Sequence, residues 1–206
     1  MSSLFITLEG VEGVGKTTQL EFIAEYLLSQ GRELVITREP GGTTIGEAIR
    51  ELVLDNKHTG MASDTELLLM FAARAEHIDK VIQPALDAGK VVLCDRFTDA
   101  SYAYQGLGRN IPEDRITLLK DWVQQALKPD LTLLLDAPVE LGLERAAKRS
   151  EKDRFESEAI EFFDAVRRCY LQIAKNDPRR VKIIDAAQPL DSVKKQVLSV
   201  LKQEIG

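Results

Sequence analysis

The 206-residue chain has only two cysteines, Cys94 and Cys169. Two thiols so far apart cannot form a disulfide framework, and no group of Cys and His residues has zinc-ligand spacing. Reduced thiols in a cytoplasmic protein are the simplest reading. Long apolar runs are missing too. No stretch approaches the roughly 18 consecutive apolar residues of a membrane span. The start, MSSLFITLEG, has no basic region ahead of a long apolar segment, so no signal peptide is expected either. Positive charge is not in excess: 33 acidic against 27 basic residues leave a net −6. That balance argues against a general binder of polymeric nucleic acid or anionic membrane, both of which attract cationic proteins. Internal repeats, low-complexity tracts and Pro/Ser-rich linkers are absent as well, so residues 1–206 read as a single domain of ordinary globular composition.

What remains is a regular alternation. Short β-rich apolar runs occur at 4–8 (LFITL), 34–37 (LVIT), 91–94 (VVLC), 131–135 (LTLLL) and 181–184 (VKII). Amphipathic segments separate them; Leu20, Ile23, Ala24, Leu27 and Leu28, for example, recur at i, i+3, i+4, i+7 and i+8. Near-continuous apolar strands joined by helical crossovers predict an α/β fold, a doubly wound parallel sheet of about five strands with helices on both faces. Ligands in such sheets gather beyond the carboxyl ends of the strands. Trp122 and the segment 119–127 read as helix core, Cys94 reads as a buried strand residue, and His77 has no evident acid/base partner.

Directly after the first run comes Gly10-Val11-Glu12-Gly13-Val14-Gly15-Lys16-Thr17, followed by Thr18. The spacing of Gly10, Gly15, Lys16 and Thr17 is that of a P-loop. Glycines let the backbone turn its N–H groups onto phosphate oxygens, and the next helix adds its positive N-terminal end. Lys16 can reach the β- and γ-phosphates, and Thr17 can ligate magnesium. ATP binding through residues 10–18 on a P-loop NTPase fold is therefore expected. A signalling GTPase is not, because the only Asn-Lys pair, Asn56-Lys57, lacks the Asp of a guanine-reading motif, and the chain contains no Asp-x-x-Gly. A small phosphotransferase is favoured over a non-catalytic nucleotide sensor.

Asp95-Arg96-Phe97 and Arg38-Glu39-Pro40-Gly41-Gly42 end the third and second runs. An Asp at a strand end beside the P-loop can hold the magnesium hydration shell, and an Arg there offers a planar fork to a phosphate. A strand-end ion pair is the alternative.

At this point the chain resembles thymidylate kinases along nearly its whole length. The matching pieces are LEGVEGVGKTT at 8–18, REPGGT at 38–43, LLLMFAARAEH at 67–77, DRFTDASYAYQG at 95–106 and DRFE at 153–156. The resemblance implies transfer of the γ-phosphoryl group of ATP to dTMP, a Mg²⁺ requirement and a homodimer; another nucleoside monophosphate kinase is the nearest alternative. It places Glu12 near the acceptor 3′-hydroxyl and phosphate, Arg50 and Arg96 on the acceptor phosphate, and Glu39 near metal and phosphate. Arg74 matches the arginine that reads a thymine carbonyl, Ser101 and Gln105 match residues facing the base edge, and Tyr104 matches the ring that disfavours a 2′-hydroxyl. The ring that stacks on thymine in many relatives lies four residues before that arginine, which here is Met70. Phe71 lies three before and is the flatter surface, so Phe71 is the expected stacking residue and Met70 the alternative.

Phosphoryl transfer asks chiefly for positioning and positive charge around the moving group. Some relatives carry an arginine inside the P-loop, where this chain has Gly13. The charge is then expected from the polar excursion at 144–158, which holds Arg145, Lys148, Arg149 and Arg154 and resembles a bacterial lid. Arg149 is the expected catalytic cation beside Lys16, Arg96 and Asp95. The plain alternative is a solvated helix face in which Glu144 pairs with Lys148.

Overall fold

The structure is a computed structural model that describes residues 3–148 and 153–205. All five apolar runs form strands: β1 (Leu4–Glu9), β2 (Leu34–Arg38), β3 (Val91–Asp95), β4 (Leu131–Asp136) and β5 (Val181–Asp185). Each extends one residue past its apolar run onto a charged side chain, Glu9, Arg38, Asp95, Asp136 and Asp185 in turn. Charge thus collects along the carboxyl edge, where the chain leaves the core. The strands are parallel in the order β2-β3-β1-β4-β5. Leu8 faces Asp95 across the β1–β3 pair, so the loop after β1 and the turn after β3 emerge side by side.

Helices cover both faces: α1 (Lys16–Ser29), α2 (Thr44–Leu54), α3 (Ser63–His77), α4 (Gln83–Asp87), α5 (Thr98–Ser101), α6 (Glu113–Gln124), α7 (Val139–Ala147), α8 (Ile160–Asn176) and α9 (Leu190–Ile205). Helix α3 runs through a π-helical turn, Ile78–Ile82, into α4, and α5 continues as the π-helical segment Tyr102–Gly108. The main core joins Ile6, Leu8, Leu93 and Leu133 of the sheet to Ile23 and Leu27 of α1, Phe163 and Val166 of α8, and Val197 and Leu201 of α9. No helix among the described residues is long and apolar enough to cross a membrane.

Two expectations need correction, and one alternative holds only in part. Leu28 is largely exposed, so the α1 stripe is narrower than its spacing suggests. Trp122 is 76% exposed, because Ile116, Leu119 and Val123 turn α6 toward α3 while Leu118 and Trp122 face outward. The polar excursion is not a solvated unit throughout. Its second half docks on the domain: the Arg154 N–H donates to the Leu54 carbonyl, and Arg154 and Phe155 are buried.

Candidate functional site

The loop between β1 and α1 has little freedom. Val11 and Val14 are buried in the core, and the backbone between them turns through a left-handed Gly13, φ 70°. A Cβ on Gly13 would lie 1.8 Å from the Gly142 carbonyl oxygen of α7. No side chain fits at this position, so the absence of a P-loop arginine here has a packing reason. Gly15, left-handed at φ 92°, precedes α1, which has no side-chain cap. The first N–H groups of α1 therefore remain available to an anion. Lys16 donates from Nζ to the carbonyls of Gly10 (3.1 Å) and Val11 (2.8 Å). Burial, with help from the nearby Arg96 charge, pushes the Lys16 amine down to about 8. Thr17 and Thr18 are exposed on the first turn of the helix.

Facing the loop is the end of β3. Arg96 adopts a left-handed backbone, φ 69°, which turns the chain sharply after Asp95. Its Nη2 donates to Glu12 Oε1 at 3.0 Å, and its guanidinium lies 4.7 Å from the centre of the Tyr104 ring. The Tyr104 hydroxyl donates to both Glu12 oxygens, at 2.7 and 2.9 Å. Burial works against the Arg96 cation, but Tyr104, Glu12, Tyr170 and Asp95 outweigh it and hold its pKa above the ordinary value. Arg50, from α2, donates to the Pro40 carbonyl at 3.1 Å. Glu12, Gly13, Gly15, Lys16, Thr17, Glu39, Arg50, Met70, Asp95, Arg96 and Tyr104 all line one cavity of about 210 Å³, with Asp153, Phe155 and Glu156 along another side. Residues from distant parts of an acidic chain thus bring Lys16, Arg50 and Arg96 to one cleft.

A second layer holds these groups, and several of its members carry no sequence signal. Glu39 is buried between Arg74 Nε (2.7 Å) and His77 Nδ1 (3.0 Å), and the His77 Nε2 lies 2.6 Å from the Thr37 hydroxyl. His77, without a visible partner in the sequence, therefore fixes a cleft carboxylate. Glu9 accepts from the Phe97 N–H and the Tyr170 hydroxyl, both at 2.7 Å, and burial, reinforced by Asp99, raises its carboxyl to about 8. Tyr170 in turn receives a hydrogen bond from Arg96 at 3.3 Å.

Arg74, Ser101 and Gln105 are all buried and none lines the cavity, although their neighbours Met70, Ala100 and Tyr104 do. Each carries a buried polar atom with no partner: Arg74 Nη1, Ser101 Oγ and Gln105 Oε1. Phe71 does not meet the cleft. It packs with Leu67, Ile111 and Ile116, its ring 4.6 Å from the Arg74 guanidinium carbon, while Met70 reaches the cavity. The two are 100° apart on α3, and only one of them can face the sheet edge.

Within the polar excursion, Arg149 lies outside the described residues. Lys148 pairs with Glu144 at 2.7 Å on the surface, as the plain alternative has it. Arg145 donates to the Ala186 carbonyl at 2.8 Å, and Arg154 is tied to the Val53 carbonyl and Glu66. Among the described residues no group of three or more His, Cys, Asp or Glu side chains forms a metal cage. Asp95 nevertheless keeps a buried, partnerless Oδ1 on the cavity wall near Thr17, a donor set suited to Mg²⁺, which takes one or two protein oxygens and fills its shell with water and phosphate.

A glycine loop leading into an uncapped helix, a lysine held among the loop carbonyls and an Asp-Arg pair on the next strand define a P-loop nucleotide-binding protein of the phosphotransferase kind. Residues 8–197 match the family model described as thymidylate kinase. The chain is 57% identical over 203 residues to a thymidylate kinase of Pseudomonas savastanoi, covering 98% of this chain and 97% of that one. It is 58% identical over 201 residues to one of Pseudomonas entomophila, covering 98% and 96%. Its fold matches the crystal structure of thymidylate kinase from Ehrlichia chaffeensis with a TM-score of 0.80 at 37% identity, over 98% of this chain and all of that one. The chain belongs to the thymidylate kinase family.

Proposed function

We propose that the protein transfers the γ-phosphoryl group of ATP to dTMP, giving dTDP and ADP. The observation that carries the acceptor assignment is the set of three buried, unsatisfied polar atoms, Arg74 Nη1, Ser101 Oγ and Gln105 Oε1. Orphaned buried groups cost stability unless a partner arrives, and a pyrimidine ring with two carbonyls and an N–H supplies complementary ones. Met70, rather than Phe71, forms the apolar surface beside them, and Tyr104 crowds the sugar through its bond to Glu12.

On the donor side the N–H groups of the loop and of α1 bind the ATP phosphates. Lys16 exchanges its bonds to the Gly10 and Val11 carbonyls for phosphate oxygens, a charge-assisted gain. Arg96 and Arg50 hold the acceptor phosphate in line, with Glu12 fixing the guanidinium plane of Arg96. Asp95 and Thr17 would hold Mg²⁺, which would supply neutralisation of phosphate charge there. No general base is needed, because the attacking phosphate oxygen is already ionised. Arg149 brings the remaining cation from the lid.

The protein acts as a homodimer in the cytoplasm, with the exposed Leu68 of α3 and Leu118 and Trp122 of α6 as the apolar surface that pairs the copies. The deciding experiment is ADP release from ATP across the nucleoside monophosphates. Strong dependence on dTMP, with weaker dUMP turnover, is expected, because a pocket gains only about 1–3 kcal/mol from one methyl group. Preference for AMP, CMP or UMP overturns the acceptor assignment, and ATP binding without any acceptor-dependent turnover overturns the enzyme reading.

A further inference from the structure

Glu66, on α3, is fully buried, and both its oxygens are taken by N–H donors. Gln105 Nε2 donates to Oε1 at 2.9 Å, Arg154 Nη2 to Oε2 at 2.7 Å, and Arg109 Nε lies 3.3–3.4 Å from both. The guanidiniums are themselves anchored, Arg154 on the Val53 carbonyl and Arg109 on Glu158. A buried ion cluster of this kind is seldom the most stable filling for its space; an apolar side chain of similar size often serves as well. A carboxylate here calls for another reason.

Gln105 supplies one. Its Nε2 faces Glu66, while its Oε1 is buried without a partner. The two ends of an amide have nearly the same shape, so packing alone scarcely distinguishes one orientation from the reverse. A hydroxyl or a second amide in place of Glu66 could bond to either end. A carboxylate flanked by two guanidiniums only accepts, and so it holds the NH₂ end and turns the carbonyl end away.

We propose that Glu66 is a positioning residue for specificity: by holding Gln105 Nε2 it fixes Gln105 Oε1 as an acceptor, so that the site selects a base with an N–H at ring position 3 over one with a bare ring nitrogen there. Thymine and uracil satisfy that acceptor, whereas cytosine sets a lone pair against it. The proposal rests on the reading above that Gln105 faces the acceptor base. It also explains why Glu66 is shared with Arg154. The carboxylate that sets the base-reading amide also holds the 153–156 segment against α2, beside the cavity.

The test compares kcat/KM for dTMP and dCMP. In Glu66→Gln the Gln105 amide can reverse, so the dTMP/dCMP ratio is expected to fall about tenfold, with Arg74 retaining part of the discrimination. The double exchange Glu66→Gln, Gln105→Glu restores a donor–acceptor pair with an oxygen left for the base, and recovers the ratio. If Glu66→Gln lowers both substrates equally and leaves the ratio unchanged, Glu66 is only structural. Gln105→Ala separates the two layers of the argument: an unchanged ratio in that variant removes Gln105 from base reading altogether. Should Glu66→Gln fail to fold, NMR of the unsubstituted protein decides. The Gln105 side-chain amide protons are expected to exchange slowly both with and without dTMP, and loss of that protection on dTMP binding overturns the proposal.

Discussion

The two walls of the cleft are built differently. The wall proposed for the donor, residues 10–18, works mainly through backbone: glycines with left-handed angles, free N–H groups at the start of α1, and one lysine that reaches back to its own loop, while the Glu12 carboxylate turns to Arg96 and Tyr104 opposite. The side proposed for the acceptor works through side chains, each held by a partner far away in sequence; Arg96 lines the cavity, and Arg74 and Gln105 are buried without reaching it. Arg74 is held by Glu39, Arg96 by Glu12, and Gln105 by Glu66, at separations of 35, 84 and 39 residues. Phosphate is the same in every nucleotide and can be met by repeating backbone dipoles. A base edge or a single acceptor phosphate has a particular pattern, and matching it takes donors and acceptors fixed in orientation by a second layer.

If this contrast is right, substitutions on the donor wall should remove catalysis, whereas those on the acceptor wall should change affinity and stability. Lys16→Ala is expected to lower turnover by about a thousandfold or more, since it removes the main fixed cation at the transferring phosphates. Steady-state ADP release measures this, and near-normal turnover would detach the loop from the chemistry. Arg149→Ala is expected to lower kcat by about a hundredfold with little change in the dTMP KM; an unaltered kcat removes the lid arginine from the transition state. Glu39→Gln leaves the buried Arg74 cation without its counter-charge, which should cost about 3 kcal/mol in denaturant melts and raise the dTMP KM more than the ATP KM.

The next pair tests the face of α3. Met70→Ala is expected to raise the dTMP KM about tenfold, whereas Phe71→Leu should cost about 1 kcal/mol of stability and leave the KM nearly unchanged. The reverse pattern would return the stacking role to Phe71. The smallest effects are those of pH. Burial pushes the Lys16 amine down to about 8, so ATP affinity measured by calorimetry should fall as pH rises through that value and the amine loses its charge. Glu9 is raised from 4.5 to about 8, so between those values the folded protein holds a proton that the unfolded chain has released. Its contribution to stability is full below 4.5 and is lost as pH rises to about 8. A Glu9→Gln variant should flatten that slope, and an unchanged slope would point to another group.

The sequence alone determined the strands and the donor wall, because both are local. A strand buried on both faces must be a nearly continuous apolar run, and the P-loop is a fixed spacing of glycines before a lysine. A preference for burial misplaced Trp122, and the flatness of a ring pointed to Phe71 where Met70 is the one that lines the cavity; neither property records the direction a helix will turn. Only the tertiary structure made Glu9, Glu66 and His77 legible, and it alone showed that Glu39 is held between Arg74 and His77. In the sequence a buried charge looks like any surface charge, since what distinguishes it is a partner brought from a different element. The net charge of −6 is a further case. It spoke against polymeric anions as ligands, but folding decides that Lys16, Arg50 and Arg96 face one cavity, and a field at close range depends on where charges lie rather than on their sum.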